Sequence, residues 1–444
     1  MQSLLGPMVV VLSLGGSPPD AKAQDSWPQW RGPLATGVSP NANPPVAWSE
    51  SKNIRWKTAL QGKGHSTPIV WGDRIFMTTA IPYGEPVTPR FVRPGAHDNN
   101  EMTRAHEFAV LAVDRKTGKI LWQETVLKAV PHEAGHLTAS LASASPVTDG
   151  EHVFAFFGSY GLYCLDFAGK LIWKKDLGEM HTKHGHGEGS SPALHGDTLI
   201  INWDHEEQSF LLALDKRTGK QRWRVARPEE TSWATPIVVE GGERADVSPT
   251  WKTQVVVSGT NRIRGYDLAT GDVIWECGGL SSNIVASPVT ADGFVYAGSS
   301  YDTRAMLAVK LDGAKGDITG TNFVVWTRHR GTPYVPSPLL YDNTIYNLQH
   351  YQGVVVRINA KTGEDKGEPI RLPAIRDVYS SPVAAAGRIY ITSRDGITEV
   401  LSHANPEKSL AVNRLDDRFS ASAALVGRDL YLRGEKHLYC IAEE

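Results

Sequence analysis

Short apolar runs, each broken by a Gly- or Asp-containing turn, recur along the chain from about residue 54 to its end. One phrase carries the rhythm: Ser/Thr-Pro, two or three apolar residues, a turn, then a longer apolar run. It stands at Thr67-Pro68, Ser145-Pro146, Ser191-Pro192, Thr235-Pro236, Ser287-Pro288, Ser337-Pro338 and Ser381-Pro382, with an eroded copy at Ser422-Ala423. From Pro146 to Pro382 it returns every 44 to 52 residues. Runs of this length between turn residues predict strands, and a fixed period predicts a repeat architecture.

A second phrase follows within each unit. Ala112-Val113-Asp114-Arg115-Lys116-Thr117-Gly118-Lys119-Ile120-Leu121-Trp122 returns over Ala213–Trp223, over Gly265–Trp275, and more weakly over Leu165–Trp173. Asn359–Gly363 keeps the turn and loses the Trp. This is strand, turn, strand. The Asp accepts from turn amides, the Gly takes a left-handed conformation, and the Trp packs a broad ring between sheets.

Each unit therefore predicts four short strands, a to d from inside outwards. Such a sheet cannot bury both faces alone, and stacking in a ring buries them. The predicted fold is an all-β, eight-bladed propeller, with seven blades as the alternative. The last unit stops after strand c at Tyr439-Cys440-Ile441. Its missing strand d is supplied by Asn53–Leu60, with Trp56 in the docking position. Residues 53–444 are read as one propeller domain, with insertions at 81–105 and 240–253, preceded by an extension over 24–52.

Residues 1–23 are expected to be a secretory signal: Leu4–Leu14 is apolar but too short to span a bilayer, and Ala21-Lys22-Ala23 fits a cleavage site. No Cys follows that site, so a lipoprotein anchor is not expected. This places the mature chain in the periplasm or outside the cell. A formal net charge of −2 argues against nucleic acid as a partner. The three cysteines, Cys164, Cys277 and Cys440, are an odd set. Cys164 and Cys440 occupy the same position in non-adjacent repeats and are expected to be buried thiols.

The A-x-D-x-x-T-G-x-x-x-W phrase resembles the docking motif of the pyrroloquinoline quinone (PQQ) repeat family. One branch of that family comprises quinoprotein alcohol dehydrogenases; another resembles BamB, a non-catalytic scaffold of outer-membrane assembly. The opening Trp27-Pro28-Gln29-Trp30-Arg31-Gly32-Pro33 also resembles that of a large group of exported PQQ-like propellers. The dehydrogenase branch would imply bound PQQ under a vicinal disulfide, and this chain has no adjacent cysteines. The BamB-like branch is the nearer resemblance, and PQQ is not expected.

Candidate chemistry gathers in the loops of one face, the top, where d-to-a and b-to-c connections emerge. Histidines concentrate there: His65, His97, His106, His132, His136, His181, His184, His186, His205, His329 and His350. In His181–Glu188, an extended backbone would put His184, His186 and Glu188 on one side. With His136 they are candidate ligands for a divalent metal; alternatively, this is a polar loop whose histidines only hydrogen-bond. His65, Ser143, Gly189, Trp233, Val285, Val335 and Tyr379, three residues before each strand-a proline, are expected to line the channel mouth, with Tyr334 beside them. The 81–105 insertion is expected on the same face, as a lid or partner-binding arm or a plain surface excursion.

The sequence thus supports a non-catalytic binding or scaffold module whose top face takes a protein or carbohydrate. The alternative is a metal- and histidine-dependent lyase or hydrolase on carbohydrate, with His65 or Tyr379 as base. A quinone-dependent dehydrogenase comes third.

Overall fold

The computed structural model describes residues 25–241, 251–260, 262–349 and 351–443. The expected signal segment 1–23, the middle of the 240–253 insertion, and His350 lie outside the described residues. Among those described, strands assemble into eight sheets arranged as a propeller. Blade 1 comprises Ile69–Trp71, Arg74–Val87, Thr103–Asp114 and Ile120–Ala129. Blade 2 runs from Val147–Thr148 to Leu171–Lys175, blade 3 from Ala193–His195 to Gln221–Ala226, and blade 4 from Ile237–Val239 to Val273–Gly278. Blade 5 runs from Val289–Ala291 to Val324–Arg328, blade 6 from Leu339–Tyr341 to Ile370–Arg371, and blade 7 from Val383–Ala385 to Ser409–Arg414. Blade 8 holds Ala424–Val426, Asp429–Arg433, His437–Ala442 and, as its outer strand, Ile54–Ala59. That strand lies antiparallel to His437–Ala442, with Trp56 opposite Cys440. The ring is thus closed by the N-terminal strand.

Both recurring phrases act at the seams between blades. The Ser or Thr before each strand-a proline donates its backbone N–H to the corresponding hydroxyl of the next blade. This relay runs Thr67, Ser145, Ser191, Thr235, Ser287, Ser337, Ser381, Ser422, with N···O distances of 2.8–3.0 Å. Further out, the docking Trp donates its indole N–H to a carbonyl in the next blade's turn. The pairs are Trp56 to Arg115, Trp122 to Phe167, Trp173 to Lys216, Trp223 to Leu268 and Trp326 to Ala360. Each of these rings lies on the turn glycine. A Cβ on Gly118, which has φ +72°, would come within 2.6 Å of Trp56. Glycine is needed both for the left-handed backbone and for the indole's approach. In blade 4 the pattern departs, and Trp275 turns to the Gln254 carboxamide of its own sheet.

The core is divided into clusters lying between successive blades, and all three cysteines are buried and unpaired. Burial pushes the Cys164 and Cys440 thiols up to about 12. No helix among the described residues is long and apolar enough to cross a membrane.

Candidate functional site at the top of the channel

The 24–52 extension builds the floor of the site. From Asp25 onward it runs beneath the inner strands. Trp27 pairs with Val70, Pro28 O accepts from Thr148, Ser39 donates to Ala384 O and Asn43 to Gly427 O. Arg31 is buried and donates to Pro382 O (2.7 Å), Pro338 O (2.6 Å) and Thr36 O (3.0 Å). Burial lowers its pKa to about 9. Trp30 lines both the channel above and a separate cavity below. The Trp-Pro-Gln-Trp-Arg-Gly-Pro opening therefore lies across the lower end of the central channel, with Trp30 flooring the well above it.

The well encloses about 360 Å³. The seven residues three before each strand-a proline, His65 through Tyr379, all line it, together with Tyr334. Its two sides differ. On the blade 5–7 side, Tyr301, Tyr334, Tyr351 and Tyr379 form an arc with successive ring centroids 6.1, 5.4 and 5.2 Å apart. The Tyr351 hydroxyl bonds with those of Tyr334 and Tyr379, and burial raises it well above its ordinary range. Arg394 lies over the Tyr379 ring at 4.5 Å, and Thr138 donates to the Tyr379 hydroxyl.

On the blade 1–3 side, four imidazoles touch. His97 stands 4.6 Å from His184 and 5.1 Å from His186, and His136 stands 4.7 Å from His186, centroid to centroid. Desolvation lowers His136 and His184, and takes His186 down to about 4. All three favour the neutral imidazole. The 181–188 segment is not extended, however. Lys183–Gly185 forms a 3₁₀ turn, with His184 at φ 58°. Glu188 lines the well together with His136 and His186. Its carboxylate accepts from the Ser159 N–H and hydroxyl, and burial pushes it up to about 8. His65 also lines the well. It is half-buried, and desolvation together with Lys63, Arg433 and Arg394 holds its pKa well below the usual range.

The 81–105 insertion lengthens strands b and c of blade 1, then folds across blades 2 and 3. Phe91 donates to His132 O, Asn100 to Gly135 O, and Leu137 to Asp98 O. The Asn99 amide donates to His184 O, and Arg93 pairs with Glu206 at 2.9 Å. Thus clasped, it flanks a second cavity of about 520 Å³ with Pro82, Pro86, Asn100 and Met102 in its wall. That cavity also meets His132, Glu133, Trp233 and Glu188. Here the structure assembles a group that the sequence did not single out. Among the described residues, His132, Glu133 and His181 are the only three or more His, Cys, Asp or Glu side chains whose ligating atoms all lie within 4.8 Å of one another. Both histidines had been placed on the top face. Glu133 was missed because its neighbour in space, His181, is 48 residues away in sequence.

Comparison with known proteins bears on the whole repeat. The family model described as outer membrane protein assembly factor BamB matches residues 106–276 and 207–444. The chain belongs to this family. No curated protein matches it. Among solved structures, BamB from Moraxella catarrhalis aligns with a TM-score of 0.54 at 15% identity, covering 82% of this chain and 99% of that one. A europium-containing methanol dehydrogenase aligns at 0.57 and 12%, covering 93% and 90%. The quinohemoprotein alcohol dehydrogenase from Comamonas testosteroni aligns at 0.59 and 11%, covering 96% and 82%. At these identities the likeness is one of fold.

The dehydrogenase neighbours raise the question of a quinone in the well. PQQ is a tricarboxylate and needs cations to hold it. Neither Arg nor Lys lines the well among the described residues, and Asp98 and Glu188 do. The three cysteines are separate, buried thiols. The lining does not fit PQQ.

Proposed function

We propose that this BamB-family chain is an exported, non-catalytic binding module that receives a segment of a protein partner in the well on its top face. The observation that carries this reading is the well itself. It is floored by Trp30, rimmed by the tyrosine arc and Trp233, and supplied with hydroxyls by the Ser/Thr relay at strand-a starts. Aromatic rings that present both an apolar face and a hydroxyl provide large contact area at low entropic cost. Among the described residues no Lys or Arg lines the well, which favours a neutral or apolar segment over an acidic one. The family description, outer membrane protein assembly, supports a protein partner and a place in the cell envelope.

The test is a photo-crosslinking residue at Tyr334 in intact cells, compared with one at Asp342, an exposed a-to-b turn residue on the opposite face. The expected result is a discrete protein adduct from position 334, absent from 342, and lost when Tyr351→Ala and Tyr379→Ala are added. Equal labelling at both positions would overturn the assignment to the top face. A sugar ring would stack on the same tyrosines. Glycan binding lost in the same double variant, without a protein adduct, would replace the protein partner with a carbohydrate.

A further inference from the structure

We infer that His132, Glu133 and His181 form a binding site for a divalent transition metal, zinc by ligand type, in the wall of the 520 Å³ cavity. The cavity shares Glu188 and Trp233 with the well, but none of the three ligands lines the well, and the site does not depend on what the well binds. Two imidazoles and one carboxylate are a set that holds zinc while leaving a fourth position open.

The ligating atoms already lie within 4.8 Å of one another. Tetrahedral bonds of about 2.0–2.2 Å require ligand atoms roughly 3.3–3.6 Å apart, so side-chain adjustments of about an ångström would suffice. The two connecting loops supply the ligands. His132 and Glu133 lie in the loop entering blade 2, and His181 in the loop entering blade 3.

The surroundings are those of a ligand set. The Nε2–H of His132 donates to Met180 O at 2.8 Å, which leaves Nδ1 unprotonated. Imidazoles that bind metal characteristically anchor the other ring nitrogen to a carbonyl in this way. Nδ1 now accepts from the Tyr160 hydroxyl at 3.1 Å. An ion there would take that lone pair and release the hydroxyl toward the cavity, which Tyr160 also lines. The Thr182 hydroxyl orients Glu133 through Oε2 at 3.2 Å, while Oε1 is 3.4 Å from His181 Nδ1. Phe91 covers the His181 ring at 4.1 Å, and Glu207 stands 3.9 Å from its Nε2.

Glu133 is buried, and its one ion pair among the described residues is with His181. A buried carboxylate with no Lys or Arg partner is costly unless a cation compensates it. A divalent ion would do so. Because His132 and Glu133 both line the cavity, the open position is available to a water or an oxygen ligand from that space.

The experiment is titration of the full, chelator-treated chain with ZnCl₂ by calorimetry, and with CoCl₂ followed by the visible bands of four-coordinate cobalt. The expected result is one ion per chain. Kd should rise in His181→Ala and Glu133→Gln by more than the roughly 10- to 100-fold that loss of an outer partner costs. His184→Ala/His186→Ala should bind like the parent. His181 is partly exposed, so its variant should fold even where His132→Ala does not; equal melting of the metal-free proteins checks this. Absence of stoichiometric binding overturns the assignment. So does binding lost in His184→Ala/His186→Ala but kept in His181→Ala, which would move the ion to the four-imidazole cluster.

Discussion

Seven of the propeller's seams are alike, and the eighth, between blades 8 and 1, is built differently. At the ordinary seams an inner N–H-to-hydroxyl bond and, at most of them, an outer docking Trp repeat the same two contacts. At the closing seam the inner relay ends. The Thr67 hydroxyl is buried without a partner among the described residues. Long cations replace it. Arg433 of blade 8 donates to Ser66 Oγ and Thr78 O of blade 1. Arg115 of blade 1 reaches back to the Tyr431 hydroxyl and Val426 O. Long cations also cross ordinary seams, as Arg74 does to Phe167 O, Lys216 to Asp149 and Arg227 to the Tyr266 hydroxyl; the closing seam differs in having them where the inner relay ends.

The sharpest test of that contrast is the docking ring. Trp223→Ala at an ordinary seam should cost about 3–5 kcal/mol through the lost volume and indole bond, with Trp56→Ala at the closing seam near the low end of that range. Urea midpoints at unchanged slope would measure both. A negligible loss for Trp56→Ala would show that the arginines alone close the ring.

Next in size is the relay. Ser287→Ala leaves the buried Thr235 N–H without its acceptor and should cost about 1–3 kcal/mol. The same change that left stability untouched would reduce the relay to a by-product of blade packing.

Acid should act at the closing seam. His65 is held neutral there by burial and by Lys63, Arg433 and Arg394, while in the unfolded chain it takes up a proton near pH 6.5. Its depressed folded pKa means the unfolded state binds more protons below about 6.5. Stability is therefore full above that pH and falls as pH drops from it. Melting temperatures of parent and His65→Gln measured from pH 7.5 to 5 should diverge on acidification, with the variant losing less. Parallel curves would remove His65 from the account.

The smallest effect is expected at Thr67. Thr67→Val replaces an unpartnered hydroxyl with a methyl of similar shape. It should change stability by less than about 0.5 kcal/mol, or raise it. A cost like that of Ser287→Ala would mean the relay does close through Thr67.

Much of this was legible in the chain. The Ser/Thr-Pro phrase marked seven of the eight inner strands, with an eroded copy at Ser422-Ala423 for the eighth. Trp56 announced the closing strand. What the repeat could not convey were features made once. The density of histidines drew attention to His184, His186 and Glu188. The 3₁₀ turn at Lys183–Gly185 then gave Glu188 to Ser159. Glu133 carries no local signal at all.

The sequence by itself determined the blade count and the direction of closure, because each depends on contacts that recur at a fixed period. Tertiary structure alone decided that the Trp-Pro-Gln-Trp-Arg-Gly-Pro opening lies across the lower end of the channel. It alone decided that the 81–105 insertion clasps two neighbouring blades, and that His132 and Glu133 meet His181. Those contacts join segments of unrelated spacing, and their geometry is fixed only once the ring has brought the loops of successive blades side by side.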